Sequence, residues 1–150
     1  MTLFDIVSED IKKAMLAKDR VALDALRGIK KEFLEAKTAK GTDGELHDDA
    51  ALKILQKMIK QRKESAEMYI AGNRQDLADA ELAQAQIIER YLPKQMSAEE
   101  IAAAVKEIIA QTGATSMADM GKVMGAATKA LAGKADGKAI SQAVRQLLGA

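Results

Sequence analysis

The chain has no cysteine, one histidine, one proline and only four aromatic residues. Without cysteine there is no disulfide, no thiolate metal site and no cysteine nucleophile. The lone His47 cannot build a His-rich metal cage and argues against a His-based triad. Phe4, Phe33, Tyr69 and Tyr91 are too few for a single-strand stacking platform, and there is no tryptophan to anchor a binding face. Charge of one sign is lacking too: 23 Lys+Arg stand against 22 Asp+Glu, so gross electrostatics names no partner. The longest uncharged stretch, Ile108 to Ala118, falls far short of the ~20 apolar residues of a spanning helix. No basic region followed by a long apolar run opens the chain, so no signal peptide is expected. At 150 residues the chain can bury roughly 70% of its unfolded surface and needs no metal or disulfide to fold. The expectation is a soluble, cytoplasmic, all-α protein with no cofactor and no membrane segment.

What is abundant is Ala, Leu, Ile, Lys, Glu and Gln, all helix formers, with apolar positions recurring at three and four. Leu3, Val7, Ile11 and Met15 form a first stripe. Asp19 caps a second helix carrying Leu23, Leu26, Ile29, Phe33 and Leu34. Gly41 to Leu46 reads as an exposed turn. Asp48 or Asp49 caps a third helix with Leu52, Leu55, Ile59, Ala66 and Tyr69, ended by Gly72 and Asn73. A fourth, from about Gln75, carries Leu77, Ala80, Ala83, Ile87 and Tyr91 and stops before Pro93. Composition changes there. Residues 1–93 hold 16 basic and 17 acidic residues, whereas 94–150 hold 7 and 5 with more Ala and Gly. The expected organisation is a four-helix domain over residues 1–93 and a three-helix tail over 97–150. In the tail, Ser97 to Glu100 is a capping box ahead of Ile101, Val105, Ile108 and Ile109. Ser116 with Asp119 opens the next helix in the same manner, with Met117, Met120, Met124, Ala127 and Leu131 inward. Gly133 ends it, and Asp136 caps a last helix with Ile140, Val144, Leu147 and Leu148.

Three patterns are candidates for function. Gly121 and Gly125 lie four apart on one helix face, where each costs roughly 1 kcal/mol relative to Ala. Close helix packing inside the tail is the expected reason, with direct ligand contact as the alternative. Gly133 to Lys138 is a glycine-flanked turn entering a helix; backbone N–H groups at a helix start attract anions, and Lys134 and Lys138 add charge. It is not a P-loop, because Ala139 stands where the hydroxyl is needed and no strand precedes it. From Gln111 onward Lys122, Lys129, Lys134, Lys138 and Arg145 face only Asp119 and Asp136. Lastly, Lys53, Lys57, Lys60, Arg62 and Lys63 form a basic stripe of a kind that can lie along nucleic acid, but the favoured reading is a solvated face balanced by Glu64, Glu67 or the Asp43–Asp49 loop. No catalytic constellation is visible: Ser8, Ser65, Ser97, Ser116 and Ser141 lack a nucleophile elbow, and neighbouring carboxylates sit where capping explains them.

Five segments in order, Lys60 to Ser65, Gln75 to Ala78, Glu89 to Gln95, Met117 to Gly125 and Gly133 to Lys138, resemble the YqeY family along essentially the whole chain. That resemblance implies an N-terminal helical part and a tail related to the C-terminus of GatB, the B subunit of the glutamine-dependent aspartyl/glutamyl-tRNA amidotransferase. It implies contact of the tail with the outer corner of a tRNA, with Lys122, Lys129, Lys134, Lys138 and Arg145 as the RNA-facing residues, and no DNA. It also implies a carbon–nitrogen ligase label with glutamine as amido donor, although the amidase and the kinase-like body that perform that chemistry are not found in this chain. The alternative is a protein-interaction adaptor whose Met117–Leu131 face, with its glycines, receives a partner helix.

Overall fold

A computed structural model describes residues 1–149. Its elements are helices: α1 Leu3–Ala17, α2 Arg20–Thr38, α3 Asp48–Ala71, α4 Gln75–Glu89, α5 Ala98–Thr112, α6 Met120–Ala130 and α7 Gly137–Gly149, with a 3₁₀ turn, Met117–Asp119, leading into α6. The fold is all-α, and the chain forms two compact units, Met1–Leu92 and Pro93–Ala150.

In the first unit the helix starts are written locally. Thr2 and Asp5 form a reciprocal capping box on α1, and Asp19 accepts the Ala22 N–H at 3.1 Å on α2. The residue in the cap position of α3 is His47, which makes no side-chain cap bond. Asp48 and Asp49 lie inside the first turn instead, where negative charge favours the N-terminal end of the helix dipole. Asp48 also accepts the Leu3 N–H at 3.2 Å, tying the start of α3 to the start of α1. The core is built on Val7, Ala25, Leu26, Ile29, Phe33, Leu55 and Ile88. Leu46 joins it, so the Gly41–Leu46 turn is not exposed throughout: its last residue is an apolar plug.

Several stripe positions face water. Met15 and Leu34 are exposed, because a helix stripe is covered only where another helix runs alongside it. Ala80 is exposed as well, and α4 buries Ala78, Ala85, Ile87 and Ile88. Helix α4 ends at Glu89, ahead of the proline. That leaves Tyr91 free of the helix, and its hydroxyl donates to Asp10 Oδ2 at 2.5 Å. Burial, then the hydrogen bond to this carboxylate, push the Tyr91 phenol well above its ordinary range.

The second unit packs α5, α6 and α7 around Ile101, Val105, Val123, Ala127, Leu131, Ile140, Val144 and Leu148. Ser97 makes the expected capping box with Glu100. Asp136 caps α7, accepting the Ala139 N–H at 2.7 Å. Ser116 departs from expectation: it accepts from Ala118 within the 3₁₀ turn, while Asp119 reaches back to the Thr115 N–H. The buried residues of α6 are Val123, which the expected stripe leaves out, and Ala127, with Met120 and Met124 half-buried and Met117 exposed. Leu147 is also at the surface.

At the start of α3 the His47 ring Nε2 lies 3.0 Å from Asp43 Oδ2. The hydrogen bond to Asp43, then the charge of that carboxylate, raise the His47 pKa above its ordinary 6.5. A raised folded-state value means that this pair stabilises the loop fully below about pH 6.5 and stops doing so as pH climbs through the folded value. Because His47 is the only histidine, its ring resonances can be followed by NMR without ambiguity. Asp43→Asn should bring the titration midpoint down toward the ordinary value; an unmoved midpoint would contradict the pairing.

Candidate nucleic-acid interface

The turn between α6 and α7 is fixed by its own backbone. Leu131 N–H closes on Ala127, and Lys134 and Ala135 N–H groups both return to the Leu131 carbonyl. Gly133 has φ +77°, a left-handed conformation that costs glycine nothing. Leu131 and Ala135 are buried and pin the bend to the core. The segment leading into the unit staples it from outside. Gln95 Nε2 donates to the Gly133 carbonyl at 2.7 Å, and the Met96 N–H donates to the Lys134 carbonyl at 2.9 Å. The role of Gln95 is absent from a reading by helical periodicity, since it acts 38 residues away in sequence.

With these carbonyls taken and Asp136 supplying the carboxylate at the start of α7, the helix terminus already has its anion. What the bend presents is side chains. Lys134 and Lys138 are exposed, as are Lys129 in the last turn of α6 and Arg145 on α7. Lys138 and Arg145, seven residues apart, share one face of α7 at a separation of about 10 Å along the axis. Lys122 is exposed too, but its ammonium donates to the Thr112 carbonyl at 3.3 Å, at the C-terminal end of α5 where a cation is favoured. Among the described residues, none of these five lies within ion-pair distance of a carboxylate. The structure thus brings Lys129, Lys134 and Lys138 around one bend and sets Lys122 and Arg145 about two turns along their helices.

The glycine pair is not a packing device. Gly121 and Gly125 are exposed, and a Cβ built on either would meet no neighbouring atom within 4 Å. Close helix packing as the reason for Gly121 and Gly125 is corrected accordingly: the face they form is open. The basic stripe of α3 is corrected in its partners. Arg62 pairs with Glu81 at 3.1 Å and Lys63 with Glu89 at 2.9 Å, both carboxylates coming from α4. Ser97 and Ser116 are occupied as helix caps, and the Ser8 hydroxyl donates to the Phe4 carbonyl.

A family model described as "Yqey-like protein" matches residues 4–148. The chain is 41% identical over 87 residues to a Meyerozyma guilliermondii protein named "Altered inheritance of mitochondria protein 41, mitochondrial", a match covering 57% of this chain and 44% of that protein. The Kluyveromyces lactis protein of the same name is 33% identical over 106 residues, 69% of this chain and 56% of the relative. The one from Pyrenophora tritici-repentis is 32% identical over 148 residues, 94% of this chain and 78% of that protein. The chain spans about half the length of the first two. The expected cytoplasmic location is overturned by these names, each of which denotes a mitochondrial protein.

An open glycine face predicts that alanine is better tolerated than glycine. Gly125→Ala, in the interior of α6, should stabilise the second unit by up to about 1 kcal/mol, with a smaller gain for Gly121→Ala in the first turn. A denaturant midpoint that falls instead would mean that something in the fold needs the missing Cβ.

Proposed function

The chain belongs to the YqeY family, and from that premise we propose that its second unit docks on the phosphate backbone of structured RNA, a tRNA, as an accessory factor related to the tRNA amidotransferases. The observation that carries the reading is a set of exposed cations around a rigid bend, none within ion-pair distance of a carboxylate among the described residues: Lys129, Lys134 and Lys138, with Arg145 farther along α7. A backbone already fixed adds no ordering cost of its own on meeting a phosphate, so only side-chain ordering is set against each electrostatic gain. The scarcity of aromatics fits a duplex target, because A-form RNA is recognised through phosphates, 2′-hydroxyls and shape rather than by stacking. The family resemblance of the tail to the C-terminus of GatB points to the same ligand. In this reading the protein holds RNA and performs no chemistry on it, and the mitochondrion of the relatives replaces the cytoplasm as its compartment.

The open face of Gly121 and Gly125 favours a second reading, an adaptor in which a partner helix approaches α6 closely. The two readings diverge in their response to charge.

Contact with about four phosphates implies that affinity for tRNA falls roughly hundredfold between ~50 and ~200 mM salt. Lys134→Glu combined with Lys138→Glu should abolish most of the retention in a gel shift with unfractionated tRNA while circular dichroism stays helical. Undiminished binding by the folded variant would remove the bend from the interface.

A further inference from the structure

Helix α2 carries a second cationic surface, hidden in the sequence by interleaved acids. Arg27, Lys30, Lys31, Leu34, Glu35 and Thr38 line an open groove of about 370 Å³ on the first unit. Three cations there face the single carboxylate of Glu35, and none of the four lies within ion-pair distance of an opposite charge among the described residues. Lys30 is held from below: its ammonium sits 5.8 Å from the centroid of the Phe4 ring, which also carries Lys37 at 4.8 Å. The Thr38 hydroxyl is spent on the Leu34 carbonyl at 2.7 Å, so the groove's free donors are its three cations.

Spacing decides what these cations suit. Arg27 and Lys31 are one turn apart and Lys30 stands beside them, so the three cations share one side of the helix. That is the arrangement for an oxyanion with several acceptor oxygens, with the guanidinium able to bind it in bidentate fashion. The contrast with α3 is instructive. Lys53, Lys57 and Lys60 also lie exposed along one face, but Glu64 and Glu67 follow in the same helix.

We propose that the α2 groove formed by Arg27, Lys30 and Lys31 is a phosphate-backbone contact for RNA on the first unit, separate from the bend of the second. It shares its ligand class with the function proposed above and rests on that reading only for the choice of RNA. An acidic protein segment is the competing occupant of such a groove. Three cations against one carboxylate suit a polyanion, and RNA is the polyanion of the function proposed above.

The test uses the full-length protein and unfractionated tRNA, with affinity measured from ~50 to ~200 mM salt. Replacing Arg27, Lys30 and Lys31 together by glutamine keeps good helix formers in α2 and should make the slope of log affinity against log salt shallower by about 2. The loss at ~100 mM salt should be roughly tenfold to a hundredfold. Glu35→Gln, which removes the opposing carboxylate, should act in the other direction and tighten binding; this holds the proposal to account even if the triple variant fails to fold. Replacing Lys53, Lys57 and Lys60 by glutamine changes net charge equally and should cost much less. An unchanged slope in the α2 variant, an equal loss in the α3 control, or weaker binding by Glu35→Gln overturns the proposal. If Lys134→Glu with Lys138→Glu leaves binding intact while the α2 variant loses it, the bend falls and the groove stands. The reverse result discards the groove alone, and a wild-type protein that ignores tRNA discards both.

Discussion

The bend between α6 and α7 can present a fixed charged surface because its carbonyls are already bonded. Gly133 and Lys134 give theirs to Gln95 and Met96, and Leu131 accepts twice within the turn. A backbone secured this way neither needs a ligand to complete it nor gains much from moving. The flexible part is confined to lysine side chains, whose ordering is the main entropic cost of binding there. Asp136 completes the arrangement by filling the start of α7. The attraction for an anion is thereby shifted from the helix terminus to the surrounding ammonium groups, where it is screened by salt.

Near-neutral composition conceals how unevenly the charge is spent. Glu81 and Glu89 of α4 are drawn into pairs with Arg62 and Lys63, across two helices that pack side by side. The Arg62–Glu81 pair is half-buried beside Gly28 of α2, where a Cβ would make ordinary contact with the guanidinium at 3.6 Å. Among the described residues, Arg27, Lys30 and Lys31 on α2 and the lysines around the bend lie outside ion-pair distance of any carboxylate. Net charge is a poor guide to such a molecule, because what a polyanion meets is the local remainder.

Legibility in the sequence followed the range of the interaction. Asp19, Ser97 and Asp136 were readable as caps because each acts on a backbone N–H three residues away. The central core residues Ile29, Phe33, Leu55 and Val105 were readable from helical periodicity. Met15, Leu34 and Leu147 have the same periodicity and are exposed, since periodicity identifies a face and says nothing of whether a neighbour covers it. Ser116 and Asp119 show how small the local margin is: the same residue types at capping-box spacing produced a 3₁₀ turn with the reciprocal bond displaced by one residue. The five tail cations could be picked out as candidates by composition alone. The groove on α2 could not, because Glu32 and Glu35 follow its lysines in sequence and only the folded helix shows that Glu35, not Glu32, lines it.

The glycines of α6 carry the argument one step further. Glycine inside a helix sacrifices roughly 1 kcal/mol, and the usual recovery is closer contact with a neighbouring helix. At Gly125 nothing in the described residues comes near enough to supply that recovery. Lys122 and Lys129 flank it on the same helix face, so the bare patch of backbone is bordered by positive charge at both ends. Side-chain volume is missing where the charge is greatest on α6. A helix-propensity cost that no contact among the described residues recovers thus coincides on one surface with exposed lysines at both ends, one of them, Lys122, held against the carbonyl end of α5.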